Sequence, residues 1–168
     1  MEMKVRIEMS NVLVAYFTAS TGKVTEKVAK KLAEAVDADL FEIVPETPYT
    51  AADINWKNPL SRCNKEKFGK KDVPVAGKVE DMSQYDTIFV GFPIWYGAAP
   101  NVINTFLKGY DLSGKKLAAF ATSGGSGIGK TAEKLKPYVS ETTDIVDARL
   151  FSANVSVDEL KKWADEIL

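Results

Sequence analysis

The chain contains no histidine and a single cysteine, Cys63. The first absence excludes an imidazole acid or base and every histidine-bearing metal site. The second excludes an intramolecular disulfide and a thiolate zinc site, and fits a reducing compartment. No apolar run reaches the roughly 20 residues of a membrane-spanning helix. Neither sign of charge dominates: 22 basic residues against 23 acidic ones leave a net charge of −1. Nucleic-acid binding through excess Lys and Arg is therefore not expected. Residues 1–9 mix charged and apolar side chains without the apolar block of a signal peptide, and read as a leader or extension before one domain over residues 10–168. A cytoplasmic location is the expectation.

What is present is an alternation of apolar runs and helical stripes. The 168 residues, 45% hydrophobic, suit one domain with its own core. Val12–Phe17 has strand length, and Val24, Val28, Leu32 and Val36 then repeat every fourth residue as one helix face. Leu40–Val44, closed by Pro45, reads as strand two, and Thr87–Phe92, ending at Pro93, as strand three. Pro100 suits a first helical turn, ahead of Val102, Ile103, Phe106 and Leu107. Leu117–Ala121 is strand four, Thr131–Tyr138 a helix, Ile145–Phe151 strand five and Asp158–Leu168 the last helix. The Phe106, Leu107 and Trp163 positions read as core. Five short buried strands between helices predict an α/β fold: a doubly wound parallel sheet with helices on both faces, in the order 2-1-3-4-5. Ligands in such sheets sit beyond the carboxyl ends of the strands, at the switch point between strands one and three. One segment, Pro45–Gln84, breaks the rhythm and carries Tyr49 and Trp56; connections this long are usually functional or mobile.

Strand one runs into Thr18-Ala-Ser-Thr-Gly-Lys-Val-Thr25. Gly22 lets the backbone turn its N–H groups inward at a helix N-terminus, where the dipole favours an anion. The hydroxyls of Thr18, Ser20 and Thr21 add donors without charge. This chemistry suits a terminal phosphate monoester, and an ordinary Ser/Thr helix cap is the alternative. Strand three runs into Phe92-Pro-Ile-Trp-Tyr-Gly-Ala-Ala-Pro100. Trp95 and Tyr96 offer flat apolar faces there, and Gly97 permits close backbone approach; core capping is the alternative. Strand four ends in Thr122-Ser-Gly-Gly-Ser-Gly-Ile-Gly-Lys-Thr131, where small residues let a planar ligand edge meet backbone N–H groups.

Tyr16-Phe-Thr-Ala-Ser-Thr-Gly22 resembles the phosphate loop of flavodoxins. From about Asn11 to its end, including Pro48-Tyr49-Thr50, the chain resembles the flavodoxin-like family of small bacterial FMN proteins. The resemblance implies FMN as cofactor. Its phosphate would lie against Thr18, Ser20, Thr21, Gly22, Lys23, Val24 and Thr25. Its ring would lie between Pro93, Ile94, Trp95, Tyr96 and Gly97 on one side and Thr122, Ser123, Gly124, Gly125 and Gly127 on the other. There is one departure: the hydroxyl many flavodoxins carry two positions after the loop glycine is replaced by Val24 here, with Thr25 following.

Two other features compete. Gly124-x-x-x-x-Gly129-Lys130-Thr131 fits the Walker A pattern, with strand before and helix after, and alone predicts ATP or GTP binding. Its place in strand four, the 37 residues that follow it and the weak Walker B candidate Ile145-Val-Asp147 count against it. Arg62–Lys71 holds five basic residues and one acid, which suits either a solvated loop or attraction of a nicotinamide cofactor's phosphates. Cys63, with no second thiol to resolve it, is expected to be incidental. Flavodoxins that shuttle between large redox partners are usually strongly acidic; near-neutrality favours a reductase of small molecules. The expectation is thus an FMN-dependent oxidoreductase or electron carrier, serving a redox partner protein or a small-molecule acceptor, with NAD(P)H as a candidate donor. No catalytic side chain and no metal are required. The alternatives are a nucleotide-binding protein and a non-catalytic module of the same fold.

Overall fold

The structure is a computed structural model that describes residues 11–19, 22–55, 57–69, 72–123 and 127–168. Its central strands are β1 (Val12–Tyr16), β2 (Asp39–Glu42), β3 (Thr87–Pro93), β4 (Lys116–Thr122) and β5 (Asp144–Leu150). They pair in parallel in the order β2-β1-β3-β4-β5. The expected topology is therefore the observed one.

Successive side chains of a strand face opposite sides of a sheet, so the continuously apolar β1, β3 and β4 feed two cores at once. Leu13, Ala15, Ile88, Val90, Leu117 and Ala119 point to one face, where Val102, Ile103, Phe106 and Leu107 of helix α3 (Asn101–Lys108) cover them. Val12, Val14, Phe89, Ala118 and Phe120 point to the other. There α1 (Val24–Val36) and α5 (Val157–Ile167) pack, with Trp163 buried against Phe89 and Phe151.

The differences from the sequence pattern have local causes. Strand two was expected over Leu40–Val44; the chain leaves the sheet after Glu42, and Val44–Pro45 pairs antiparallel with Val75–Ala76 instead. Pro100 stands just before α3, in extended conformation, rather than inside its first turn. The helix expected over Thr131–Tyr138 is α4 (Thr131–Leu135) followed by a 3₁₀ turn at Lys136–Tyr138. Pro137 has no N–H to continue the α pattern. The long connection also carries a helix of its own, α2 (Arg62–Phe68).

Candidate functional site

At the carboxyl end of β1 the chain bends away, with Phe17 N–H still donating to Gly91 O at 2.9 Å. The next residue, Thr18, has a side-chain oxygen that is buried and, among the described residues, has no hydrogen-bond partner. Buried hydroxyls are normally satisfied, because an unmet one costs about 1–3 kcal/mol. Thr18 also lines a cavity of about 120 Å³ with Phe17, Ala19, Ile43, Pro48 and Tyr49. Ser20 and Thr21 lie outside the described residues. Gly22 is exposed, and Lys23, at φ 50°, leads into α1. Among the described residues, no side chain caps that helix start. The first-turn N–H groups have no intrahelical acceptor by construction of a helix, so the loop and helix end together offer donors to an oxyanion.

Val24, the first residue of α1, is half-buried, and Thr25 is turned fully inward. The Thr25 hydroxyl is 2.8 Å from that of Thr122, at the end of β4. This pair ties the first loop to the third across 97 residues of sequence. Thr25 and Thr122 are therefore struts of the site, and their hydroxyls are engaged with each other. Beyond Thr122, Ser123 and Gly127 are exposed, and nothing crowds the place of a Cβ at Gly127. Gly124 and Gly125 lie outside the described residues.

The loop after β3 is a tight hairpin. Pro93 lies opposite Thr122, and Ile94 N–H donates to Thr122 O at 2.8 Å. Trp95 and Ala98 exchange both backbone hydrogen bonds, at 2.9 and 3.1 Å. The two residues between them have left-handed backbones, Tyr96 at φ 57° and Gly97 at φ 75°. For Gly97 this is free; for Tyr96 it costs about 1–3 kcal/mol and must be held by its surroundings.

What holds it is α2. The Tyr96 hydroxyl donates to Asn64 Oδ1 and lies 3.4 Å from Cys63 Sγ, and its ring packs against Phe68. Lys67 Nζ donates to Ala99 O at 3.0 Å, and Asn101 Nδ2 to Glu66 O at 2.9 Å. Burial, reinforced by the Cys63 contact, pushes the Tyr96 phenol above its ordinary range. On the other side of the hairpin, Lys134 of α4 reaches Gly97 O at 3.4 Å. Trp95 meets Phe17 and Tyr49 edge to face, at ring separations of 5.8 and 5.3 Å. It packs against the core and remains half-exposed at the loop. Tyr49 is fixed by Glu66, which accepts from its hydroxyl, and by the Arg62 guanidinium 3.8 Å over its ring.

Several sequence-level readings are corrected here. Arg62 does not offer its charge outward: Nε donates to Glu66 at 2.7 Å and Nη1 to Thr47 O at 2.7 Å. The Walker A reading gains no support: residues 124–126 lie outside the described residues, and the groups that are described are engaged elsewhere. The Thr131 hydroxyl, which would meet a magnesium ion, is buried and donates to Ile128 O. Asp147, the Walker B candidate, accepts from Trp163 Nε1 at 2.6 Å. Trp56 lies outside the described residues. Asn64, Lys67 and Lys134 carry little signal of their own in the sequence, because helices of seven and five residues are too short to show a clear stripe.

The geometry defines a doubly wound α/β protein whose β1, β3 and β4 loops converge on one edge of the sheet. The sequence family described as Flavodoxin matches residues 11–167, and the chain belongs to that family. Among solved structures, a protein assigned as a flavoprotein from Bacteroides eggerthii DSM 20697 is 40% identical, with a TM-score of 0.85 over 93% of this chain and 96% of that one. A counterpart from Bacteroides uniformis ATCC 8492 is 39% identical, with a TM-score of 0.83 over 92% and 97%. A flavoprotein from Lactobacillus acidophilus NCFM, solved in complex with FMN, shares the fold at 24% identity, with a TM-score of 0.65 over 91% and 97%. No curated protein matches the chain.

Proposed function

We propose that this chain binds FMN at the convergence of its three loops and transfers electrons through it, as a reductase of small molecules drawing on NAD(P)H. The observation that carries the reading is the buried Thr18 hydroxyl at the end of β1, which has no partner among the described residues and which a bound phosphate would satisfy. The uncapped start of α1 and the exposed Gly22 support it, since both leave backbone N–H groups open to an oxyanion. The phosphate would be held by Thr18, Ser20, Thr21, Gly22 and Lys23, with Val24 beside them and Thr25 bracing the loop from below. The ring would lie between the segments Pro93–Gly97 and Thr122–Gly127, with Trp95 or Tyr96 supplying the aromatic face. FMN supplies the redox chemistry, and the protein's part is to bind it, exclude water and set its potential. That division of labour asks for no imidazole and no metal. Near-neutral net charge supports a small-molecule partner over docking on a large basic one.

Replacing Thr18 with Val keeps the side-chain shape and removes the hydroxyl. A hydrogen bond to a charged group contributes about 1.5–3 kcal/mol, so the variant should bind FMN roughly 10- to 100-fold more weakly in a fluorescence titration. Its thermal stability should stay at or above that of the parent, since no existing bond is lost. Unchanged FMN affinity would contradict the assignment. Lys130→Ala serves as the control and should leave FMN affinity untouched.

A further inference from the structure

Two ammonium groups converge on the hairpin after β3. Lys67 comes from α2 and donates to Ala99 O at 3.0 Å; Lys134 comes from α4 and donates to Gly97 O at 3.4 Å. Each makes one such bond to a backbone carbonyl, and an ammonium has three donors. Neither forms an ion pair among the described residues. The nearest acid on α2, Glu66, is taken on one oxygen by Tyr49 and on the other by Arg62 at 2.7 Å. Lys67 is also half-buried, and burial first, then the Lys134 charge, lowers its pKa. Two like charges held close together without a counter-ion cost free energy that a bound anion would return.

We propose that Lys67 and Lys134 form the docking site for an oxyanion group of the small-molecule co-substrate, the pyrophosphate of a nicotinamide dinucleotide being the chemistry that fits. The inference deepens the function proposed above and rests on it for the identity of the co-substrate. It relocates the cationic attraction suggested by the run Arg62–Lys71 onto one member of that run and one residue outside it. Arg62 is engaged internally, whereas Lys67 and Lys134 keep donors in hand at the hairpin. The two lysines reach the turn from different helices, so an anion bridging them would also fasten α2 to α4 over the site.

The test is a titration of the FMN-loaded full-length chain with inorganic pyrophosphate, followed by the amide ¹H–¹⁵N shifts of Gly97, Ala98 and Ala99. Loading with FMN leaves the β1 loop occupied, so shifts at the hairpin report this site. The expected result is a saturable shift whose dissociation constant rises about tenfold or more in Lys67→Met/Lys134→Met, a loss of at least ~1.4 kcal/mol. Lys134→Met alone, on an exposed side chain, should show a smaller loss, and Lys65→Met should show none. No hairpin shift in the parent, or the same affinity in the double variant and in Lys134→Met, would overturn the proposal. Should the chain take up no FMN, the titration is run on the chain alone. The FMN reading would then have failed, hairpin shifts that weaken in Lys67→Met/Lys134→Met would leave the anion site standing, and no shifts would overturn it.

Discussion

Single residues at this sheet edge show why chemistry and packing cannot be separated. Gly91, in the middle of β3, has no side chain because the Phe120 ring of β4 occupies the place: a Cβ there would lie 2.1 Å from that ring. Phe120 is fully buried in the core beneath α1 and α5, so it cannot swing away. Gly91→Ala should therefore destabilise the protein by about 1–3 kcal/mol, the usual range for overpacking. Thermal denaturation should show a lower midpoint, and Gly91→Ala/Phe120→Leu should recover part of the loss. An unchanged midpoint in Gly91→Ala would contradict the packing described. Tyr96 makes the complementary point. Its left-handed backbone departs from the local rule for a bulky residue, and the departure stands at the proposed ring site, held by Asn64 and Cys63.

At the scale of elements, four tyrosines join pieces of the fold through their hydroxyls. Tyr16 of β1 donates to Glu26 of α1 at 3.0 Å, and Tyr85 to Asp39 of β2 at 2.6 Å. Tyr49 donates to Glu66 of α2, and Tyr96 to Asn64 of the same helix. Burial is the first cause in each case, and all four phenols are pushed above their ordinary value of 10.0. The folded chain therefore holds these protons more tightly than the unfolded chain does. Their contribution to stability is complete below pH 10 and is lost as the pH rises beyond it. Denaturant unfolding at a series of alkaline pH values should show stability falling above that point. Tyr85→Phe, which has no such proton, should show a shallower fall. Equal slopes for the two proteins would contradict the linkage.

Elements were also the level at which the sequence was most readable, and the limits were physical. β1, β3 and β4 carry apolar side chains on both faces, and α1 carries a stripe at every fourth residue, so periodicity alone located them. The same apolar continuity placed Thr18 and the Trp95–Gly97 turn at the carboxyl ends of their strands. What periodicity could not reveal was the partnership of α2 with the hairpin, because a short helix in a long connection is positioned by tertiary contacts. Nor could it show that Thr25 and Thr122 satisfy each other, or that Thr131 is spent on Ile128, since hydroxyl partners are decided by distance in space. The Walker A pattern, already weakened by its place in the chain, could not be read for the direction of its threonine, which points to Ile128.

At the scale of the whole molecule, one sheet brings three loops together and leaves two cores to hold them there. The strand order puts the ends of β1, β3 and β4 side by side. The Thr25–Thr122 pair and the Pro93–Thr122 register lock their spacing, and α2 closes the outer side of the hairpin. If this edge receives a flavin, as proposed, it does so through the phosphate. The most direct measurement is a parallel titration of the purified chain with FMN, riboflavin and ATP, read by flavin fluorescence and by calorimetry. The expected result is one tight site for FMN with quenched fluorescence, much weaker binding of riboflavin, which lacks the phosphate, and no binding of ATP. Equal affinity for FMN and riboflavin would contradict the phosphate site, and binding of ATP in place of FMN would contradict a flavin site at this edge altogether.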